Sequence, residues 1–222
     1  MKTFKPILSR AMTRAGGAAA LDEMLPKPVS ARKLKSVSDD RYLSSMSLRI
    51  FSAGLKHSMV AAKWPAFEDV FFGFDPRRVA GMPEDDVEAL MKDRRLIRHW
   101  PKISSVPVNA RAMLQIAQDT GGFGAWVAAW PADDIVGLWA EMGNRFKYLG
   151  GRSTPYFLRM IGKDTFVLTD DVAKGLIAAG VVDRKPSGKR DLALVQAGFN
   201  QWAAETGLAL CQLSRALALS VG

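Results

Sequence analysis

The segment Arg145–Val172 reads RFKYLGGRSTPYFLRMIGKDTFVLTDDV, and it decides the fold class of this chain. It predicts a glycine turn that opens a helix, followed by a short loop and two adjacent carboxylates before the next helix. Gly150 and Gly151 allow backbone conformations that are closed to other residues. Amides at the start of a helix bind anions such as phosphate, and Asp170 and Asp171 follow that position. A phosphate seat beside a carboxylate indicates an enzyme that works on nucleic acid.

Composition narrows the class of protein further. The chain has 222 residues, of which 48% are hydrophobic, and this content is sufficient for a packed core. Its formal net charge of +9 is typical of nucleic-acid-binding proteins. The single Cys211 excludes an internal disulfide bond, and the two histidines, His57 and His99, are too few for a zinc site. We therefore expect no metal and no cofactor, and the lack of a long apolar run predicts no membrane partner.

Almost every segment carries the periodicity of a helix rather than the alternation of a strand. Over residues 40–62, for example, apolar residues recur at helical spacing, at Leu43, Met46, Ile50 and Leu55. Met82–Asp86 starts another helix, because proline and acidic residues favour a helix N-terminus. We predict an all-α fold. It comprises a basic N-terminal extension over residues 1–35, whose order is left open, and a helical domain over residues 36–222 with a hairpin at about residues 145–162.

Two segments carry a family resemblance. The first is Phe71–Leu114, FFGFDPRRVAGMPEDDVEALMKDRRLIRHWPKISSVPVNARAML, and the second is FKYLGG at Phe146–Gly151 with the TDD that follows it. Together they resemble the helix-hairpin-helix DNA glycosylases, specifically the 3-methyladenine DNA glycosylase I group, through its FDP, KVA, EEDVE, IIRH, KI, NARA and RGFKFVG elements. The resemblance covers roughly half of the chain. It implies the helix-hairpin-helix glycosylase fold, with two helical lobes flanking a base-binding cleft.

The chain departs from that group at several functional positions. It lacks cysteines and histidines at the places of the group's zinc ligands. The acidic residue that recognises the base in that group falls near Arg49, and a pocket tryptophan falls near His57. We therefore assign Arg49, His57 and Trp64 to the base pocket and leave the lesion preference open. For His57 the alternative is a core histidine, and for the tryptophans it is core packing.

The resemblance to the wider superfamily implies a catalytic aspartate at a fixed distance after the hairpin. Asp170 fits that place, and Asp171 is the alternative if the loop register slips by one residue. Cleavage of an N-glycosidic bond builds positive charge on the sugar, which a carboxylate stabilises. Either aspartate can instead cap the helix through Ala179. Superfamily members that also cut the strand use a hairpin lysine, but Ser153 or Pro155 stands there, so we expect no strand cleavage.

Two sets of residues are predicted to contact the DNA backbone without reading sequence. The first set belongs to the hairpin and comprises Lys147, Gly150, Gly151, Arg152 and Ser153. The second set begins within the IIRH-like motif and comprises Arg98, His99, Lys102, Asn109 and Arg111. The alternatives are a glycine turn that only starts a helix and a solvated helix face.

These features favour a monofunctional DNA glycosylase that flips out and excises alkylated purines, such as 3-methyladenine, in base excision repair. Its expected partner is double-stranded DNA containing damaged bases. We expect it to act as a monomer in the bacterial cytoplasm, at the nucleoid. The alternative is a helix-hairpin-helix protein that binds DNA without catalysis or acts on another lesion, such as a deaminated base.

Overall fold

The computed structural model describes residues 1–221, in which α-helices and short 3-10 turns occur without any β-strand. The all-α prediction is therefore confirmed. Over the same residues, no helix is both long enough and apolar enough to cross a membrane. In chain order the helices are α1 (Lys5–Ala15), α2 (Ala18–Met24), α3 (Ala31–Ser36), α4 (Asp39–Ser52), α5 (His57–Val70), α6 (Pro76–Ala80), α7 (Glu84–Ala89), α8 (Trp100–Ile103), α9 (Ser105–Thr120), α10 (Phe123–Ala129), α11 (Ile135–Arg145), α12 (Ser153–Met160), α13 (Asp170–Ala178), α14 (Lys189–Thr206) and α15 (Leu210–Leu219).

Contacts divide the chain into two compact units. Unit 1 contains Met1–Val29, Pro131–Leu138 and the segment that begins at Gly162, and unit 2 contains Ser30–Trp130 and Trp139–Ile161. The domain boundary expected at residue 35 stays a prediction. Gly222, the last residue of the expected helical domain, lies outside the described residues.

The N-terminal segment is helical and is packed within unit 1. Helix α1 buries Ile7 and Ala11. The Glu205 carboxylate accepts hydrogen bonds from the amides of Phe4 at 2.9 Å and Lys5 at 3.3 Å. These bonds satisfy donors that have no partner at the start of a helix. The order that the sequence left open is thus provided by packing and by a carboxylate cap.

Helix α15 is fixed at its start within the same unit. The Asp164 carboxylate accepts hydrogen bonds from the amides of Leu210 at 3.0 Å and Cys211 at 2.8 Å. The Cys211 side chain is buried, and its Sγ lies 3.5 Å from the Pro26 carbonyl oxygen. Gly175 of α13 meets Leu217 so closely that a Cβ would lie 2.6 Å from its side chain. The single cysteine of the chain therefore lies in the packed core of unit 1.

Helix α4 organises the packing of unit 2. The Tyr42 hydroxyl donates to the Leu34 carbonyl at 2.6 Å, and burial raises the pKa of Tyr42 to about 12. Asp39 accepts from the Phe123 amide at 2.9 Å, which caps the start of α10. Gly124 leaves no room for a side chain, because a Cβ would lie 2.5 Å from the Leu34 oxygen and 2.8 Å from the Tyr42 ring. Helices α3, α4 and α10 therefore form one closely packed group.

A left-handed turn joins α5 to α6. Phe72, Gly73 and Phe74 have φ values of 55°, 64° and 61°. This conformation strains residues other than glycine by about 1–2 kcal/mol each. Arg41 donates to the Gly73 carbonyl at 2.5 Å, and the Arg78 guanidinium lies 4.1 Å from the Phe72 ring centroid. These contacts hold the strained turn between the two helices.

Candidate nucleic-acid interface and base site

The predicted hairpin lies in unit 2, where α11 ends at Arg145 and α12 begins at Ser153. We call residues 146–152 between them the hairpin turn. Phe146 and Leu149 are buried and anchor it to the rest of the unit. The Thr154 hydroxyl, in the first turn of α12, donates to the Leu149 carbonyl. Apolar anchors and a side-chain bond thus fix the turn between the two helices.

The backbone of the hairpin turn differs from the prediction at one glycine. Gly151 has φ of 58°, where glycine is favoured, whereas Gly150 is outside the left-handed region. Tyr148 is left-handed instead, with φ of 64°, and it is 49% exposed. The prediction that both glycines use restricted conformations is therefore wrong for Gly150. The Ser153 amide, predicted to bind phosphate, donates to the Gly150 carbonyl at 3.3 Å.

Asn109 fixes the backbone of the hairpin turn at Lys147. Its Oδ1 accepts from the Lys147 amide at 2.7 Å, and its Nδ2 donates to the Lys147 carbonyl at 3.2 Å. Asn109 lies on α9 and is 0% exposed. The prediction that Asn109 faces DNA is therefore wrong, because its side chain is used inside the protein. It positions a residue that is itself exposed.

Exposed cations and aromatic rings surround the hairpin turn. Lys147 and Arg152 have exposed side chains within the turn, and Arg98 is exposed two residues before Trp100. A groove of about 370 Å³ is lined by Lys147 together with Tyr148 and Trp100, and both aromatic residues are substantially exposed. Aromatic faces beside a positive charge are typical of surfaces that bind nucleic-acid strands. The DNA contacts assigned to these cations stay predictions.

The remaining predicted contacts on this side have partners inside the protein. Arg111 donates to the Ala80 carbonyl at 3.1 Å and lines a second groove, of about 520 Å³, that also contains Glu84. His99 is the N-cap of α8, where its Nδ1 accepts from the Lys102 amide at 3.4 Å. The role of Arg111 at a DNA surface stays a prediction.

Lys102 acts at the C-terminal end of α4. Its Nζ donates to the carbonyls of Ala53 at 2.9 Å and Phe51 at 3.3 Å. A lysine at this place satisfies helix-end carbonyls and opposes their partial negative charge. Burial lowers the pKa of Lys102, and repulsion from Arg49 lowers it further. The structure thus gives Lys102 an internal task, and its predicted DNA contact stays untested.

Arg49 is half-buried on α4. Its Cζ lies 4.8 Å from the centroid of the Tyr156 ring on α12, which is a cation–π distance. Burial lowers the pKa of Arg49, while Tyr156 acts in the opposite direction and Arg152 adds repulsion. Arg49, Lys102 and Arg152 therefore form a cluster of cations at the hairpin, which we call the Arg49 cluster. The base-pocket assignment of Arg49 stays a prediction.

Trp64 lies in an aromatic cluster of unit 2. Its ring stacks on Phe67 at 5.0 Å and on Phe74 at 5.4 Å between centroids. Its Nε1 donates to the Ser44 hydroxyl at 3.0 Å. These contacts give Trp64 the packing role that was the alternative. His57 is exposed at the start of α5, so the alternative of a core histidine is wrong. For both residues, the base-pocket role stays a prediction.

The candidate catalytic aspartates begin α13 in unit 1. Thr169 is the N-cap, because its hydroxyl accepts from the Val172 amide at 3.2 Å, so neither aspartate is the N-cap residue. Asp170 pairs with Lys185 at 2.6 Å, and its side chain is 68% exposed. Asp171 pairs with Lys174 at 3.2 Å and is 49% exposed. Both carboxylates face cations, and the choice between them stays a prediction.

No three His, Cys, Asp or Glu side chains come together in residues 1–221 as a metal site requires. The residues that the structure describes therefore contain no cluster of candidate metal ligands.

Residues 34–144 match the family model of the methyladenine glycosylases. The match covers half of the chain, and it contains α4, the FDP segment and Asn109. The chain belongs to the methyladenine glycosylase family. The resemblance noted in the sequence is therefore confirmed, including the group to which it points.

Two curated relatives of this family align with a shorter stretch. DNA-3-methyladenine glycosylase 1 of Escherichia coli (strain K12) is 45% identical over 67 residues, which are 30% of this chain and 36% of the relative. The DNA-3-methyladenine glycosylase of Haemophilus influenzae is 37% identical over 62 residues, which are 28% of this chain and 34% of the relative. The chain thus spans about a third of the length of the curated relatives it matches.

Solved structures show the same fold. A 3-methyladenine DNA glycosylase I has a TM-score of 0.51 at 26% identity, over 64% of this chain and 85% of the other. The 8-oxoguanine DNA glycosylase of Methanocaldococcus jannaschii has a TM-score of 0.57 at 13% identity, over 95% of this chain and 91% of the other. The predicted helix-hairpin-helix glycosylase fold is therefore confirmed. The similarity to the 8-oxoguanine DNA glycosylase shows the fold alone.

Sequence reasoning missed two side chains that the structure places beside the predicted ones. Tyr148 exposes its ring next to Lys147, and Tyr156 lies under Arg49. Tyr148 belongs to the FKYLGG motif, but its left-handed backbone has no sequence signal because the residue is not glycine. The sequence placed Tyr156 in the hairpin helix but indicated no contact for its ring. Its spacing from Arg49 depends on how α4 and α12 pack.

Proposed function

We propose that this protein is a monofunctional DNA glycosylase that excises alkylated purines from double-stranded DNA in base excision repair. The observation that carries the proposal is the hairpin turn, held by Asn109 and surrounded by exposed cations, in a member of the methyladenine glycosylase family. We further propose that it works as a monomer in the bacterial cytoplasm, at the nucleoid.

The hairpin turn is the proposed contact to the DNA backbone. Lys147 and Arg152 attract phosphates. Gly150, Gly151 and Ser153 have small or no side chains, so the DNA backbone can approach the turn closely. Arg98 and Arg111 are proposed to contact the backbone of the same duplex, whereas the proposed task of Lys102 is to stabilise the end of α4. Exposed rings of Tyr148 and Trp100 add faces on which unstacked bases can lie.

The proposed chemistry is hydrolysis of the N-glycosidic bond after the damaged nucleotide rotates out of the duplex. The departing base takes the bonding electrons, and positive charge builds on the sugar, which a carboxylate stabilises while water attacks. Asp170 is the proposed carboxylate and Asp171 the alternative. Because Ser153 and Pro155 occupy the hairpin positions where a Schiff-base lysine would be needed, no strand cleavage is proposed.

A second candidate is a helix-hairpin-helix protein that binds DNA without catalysis or acts on another lesion. The exposure of both aspartates and their pairing with Lys185 and Lys174 favour it. The cationic Arg49 at a proposed base-pocket position favours a change of lesion. Both candidates share the DNA surface, so binding measurements alone do not separate them.

The decisive experiment is base release from methylated duplex DNA. The purified protein is incubated with DNA carrying 3-methyladenine and 7-methylguanine, and free bases are separated by chromatography. Asp170→Asn is expected to lower the rate by about 10²–10⁴-fold, while Asp183→Asn, an exposed control, leaves it unchanged. Loss of activity with Asp171→Asn alone would move the role to that residue. No release from any methylated substrate at protein excess would reject catalysis and leave the binding protein.

A further inference from the structure

Helix α4 carries buried polar atoms that lack hydrogen-bond partners within the described residues. They are the Arg49 Nε, the Ser52 Oγ and the Ser47 Oγ. Buried donors are almost always paired in folded proteins, because an unpaired one loses its hydration without compensation. Arg49 and Ser52 are three residues apart and therefore share one face of the helix. A ligand with acceptor atoms would satisfy both donors at once.

The charge around these donors has one sign. Lys102 and Arg152 both repel Arg49, and no carboxylate of residues 1–221 forms a salt bridge with its guanidinium. Burial makes this repulsion less screened than at an open surface. The site therefore favours oxygen acceptors that carry partial or full negative charge. It disfavours a group that presents hydrogen-bond donors.

Tyr156 restricts how the guanidinium can turn. Its ring lies 4.8 Å from the Arg49 Cζ, and Tyr156 itself is held in the hairpin helix α12. A planar guanidinium fixed in this way presents its donors as a fork in one direction. Guanine offers an acceptor at O6, which stays available when N7 carries a methyl group, whereas adenine presents an N6 amino donor at that position.

We infer that Arg49 and Ser52 recognise an oxygen acceptor of the extruded base, so that the protein prefers alkylated guanine over alkylated adenine. This inference rests on the proposed function and on the place of Arg49 in its base pocket. Matched lesions of guanine and adenine share the methyl group and differ at position 6, while guanine also carries N1–H and a 2-amino group. The comparison therefore excludes an effect of the alkyl group, and variants of Arg49 and Ser52 assign the preference to the oxygen at position 6. The same donors can also bind a phosphate oxygen, which the test distinguishes.

The direct test is NMR of the full chain labelled with ¹⁵N-arginine. Arg49→Gln identifies the Arg49 Nε–Hε resonance by its loss. Titration with free 7-methylguanine is expected to shift this resonance at concentrations about tenfold or more below those needed for 7-methyladenine. Ser52→Ala should weaken 7-methylguanine binding and leave 7-methyladenine binding little changed. Arg190→Gln, an exposed change of the same charge, should alter neither titration.

Inorganic phosphate is the third ligand in this titration. A shift with phosphate and none with either base would overturn the inference and make the Arg49 cluster a contact to the DNA backbone. Equal affinity for both bases would overturn it as well. Absence of any shift at millimolar ligand would show that the buried donors take no ligand of this kind.

A charge reversal provides an independent variant. Arg49→Glu places a carboxylate beside Lys102 and Arg152, so the folded state gains favourable charge interactions. A carboxylate accepts a hydrogen bond from the N6 amino group of adenine and repels the O6 of guanine. The base preference should therefore reverse toward adenine by about tenfold. Retention of the guanine preference in folded Arg49→Glu would overturn the inference.

Base-release assays on DNA that carries either matched lesion separate this inference from the proposed function. Release of guanine lesions faster than adenine lesions supports both. Selective binding of the free base without release from DNA would reject the proposed catalysis and retain the recognition role of Arg49. Release of adenine lesions with equal or greater speed by the wild-type protein would reject the recognition role and retain the catalysis.

Discussion

The side-chain amide of Asn109 holds the backbone of Lys147 at two points, accepting from its N–H at 2.7 Å and donating to its carbonyl at 3.2 Å. The two residues are 38 positions apart in the chain. One belongs to the buried side of α9, and the other to the exposed hairpin turn. The pair links the packed core of unit 2 to the surface proposed to meet DNA.

Removing this amide should loosen the hairpin turn. Asn109→Ala deprives the Lys147 N–H and carbonyl of their partners, so we expect a loss of about 1–3 kcal/mol in the free energy of unfolding, measured in urea. DNA affinity should fall together with stability. Asn109→Asp keeps the acceptor for the amide but places a carboxylate against the Lys147 carbonyl, so it should rescue only part of the loss. Unchanged stability of the alanine variant would contradict the positioning role.

A substitution at Tyr148 should change stability and DNA binding in opposite directions. Asn tolerates a left-handed φ better than Tyr, so Tyr148→Asn should raise the free energy of unfolding by up to about 1 kcal/mol. Loss of the exposed ring should weaken binding to DNA by about 1–3 kcal/mol if a base stacks on it. Leu194→Asn, on an exposed part of α14, controls for loss of apolar surface. Unchanged DNA affinity of Tyr148→Asn would remove this ring from the interface.

Lys147 and Lys102 should respond differently to salt. Lys147→Gln removes an exposed charge, so the slope of log affinity against log salt should become shallower by about one. Lys102→Gln should change that slope little and lower stability instead, because Lys102 donates to two carbonyls at the end of α4. DNA binding measured by fluorescence anisotropy over a range of salt concentrations distinguishes them. An equal change of slope for both variants would place Lys102 on the DNA surface.

Gly124 should tolerate no side chain. In Gly124→Ala the new Cβ meets the Leu34 backbone oxygen and the Tyr42 ring, so we expect destabilisation by about 1–3 kcal/mol or more. Gly143→Ala is the matched control, because its Cβ would lie 3.6 Å from the Gly150 Cα, in ordinary contact. In the middle of α11 that change should stabilise by about 0.5–1 kcal/mol. Thermal unfolding of both variants checks the opposite signs.

Asp39 predicts a pH dependence of stability. Burial raises the pKa of Asp39, although hydrogen bonds from the Phe123 and Gly124 amides act in the opposite direction. The folded state therefore holds the proton more tightly than the unfolded state, whose carboxyl titrates at 3.8. Stability contributed by this group is full below 3.8 and is lost as pH rises through the folded pKa.

Asp39→Asn removes that titration and keeps an oxygen for the Phe123 amide. Relative to this variant, the wild type should lose stability as the pH rises from below 3.8 through the raised folded pKa of Asp39, and then stay level. Urea denaturation at several pH values measures the difference. A wild type that gains stability over this range relative to Asp39→Asn would mean that the amide hydrogen bonds outweigh burial.

Local signals in the sequence predicted the helices well. The helix that was expected to run through Ala179 is found at Asp170–Ala178, and the acidic start after Pro83 is found at Glu84. Apolar periodicity and N-terminal acids act within a few residues, so they can be interpreted without tertiary structure. The hairpin and its family were likewise visible in the sequence, because the glycines and each set of motif spacings lie within a continuous segment of the chain.

The side-chain tasks were harder to predict because they depend on contacts between distant helices. Polar Asn109 and Lys102 looked like a DNA-facing surface, yet the first is buried against the hairpin turn and the second caps α4. Thr169 took the N-cap role expected of an aspartate. For Trp64, sequence left pocket and core open, and stacking on Phe67 and Phe74 supports the core. In each case the role of the side chain was decided by the residues that it contacts in the folded protein.

The buried Cys211 allows the opening of unit 1 to be measured without introducing a label into the chain. Its thiol is the single cysteine of the chain and has no exposed route to reagents while α15 remains packed beside Pro26. Alkylation can therefore proceed only when this part of the molecule opens, and the rate of mass gain measures the frequency of opening. Repeating the alkylation kinetics in the presence of damaged DNA would show whether DNA binding slows the opening of α15, a helix that carries none of the proposed contact residues.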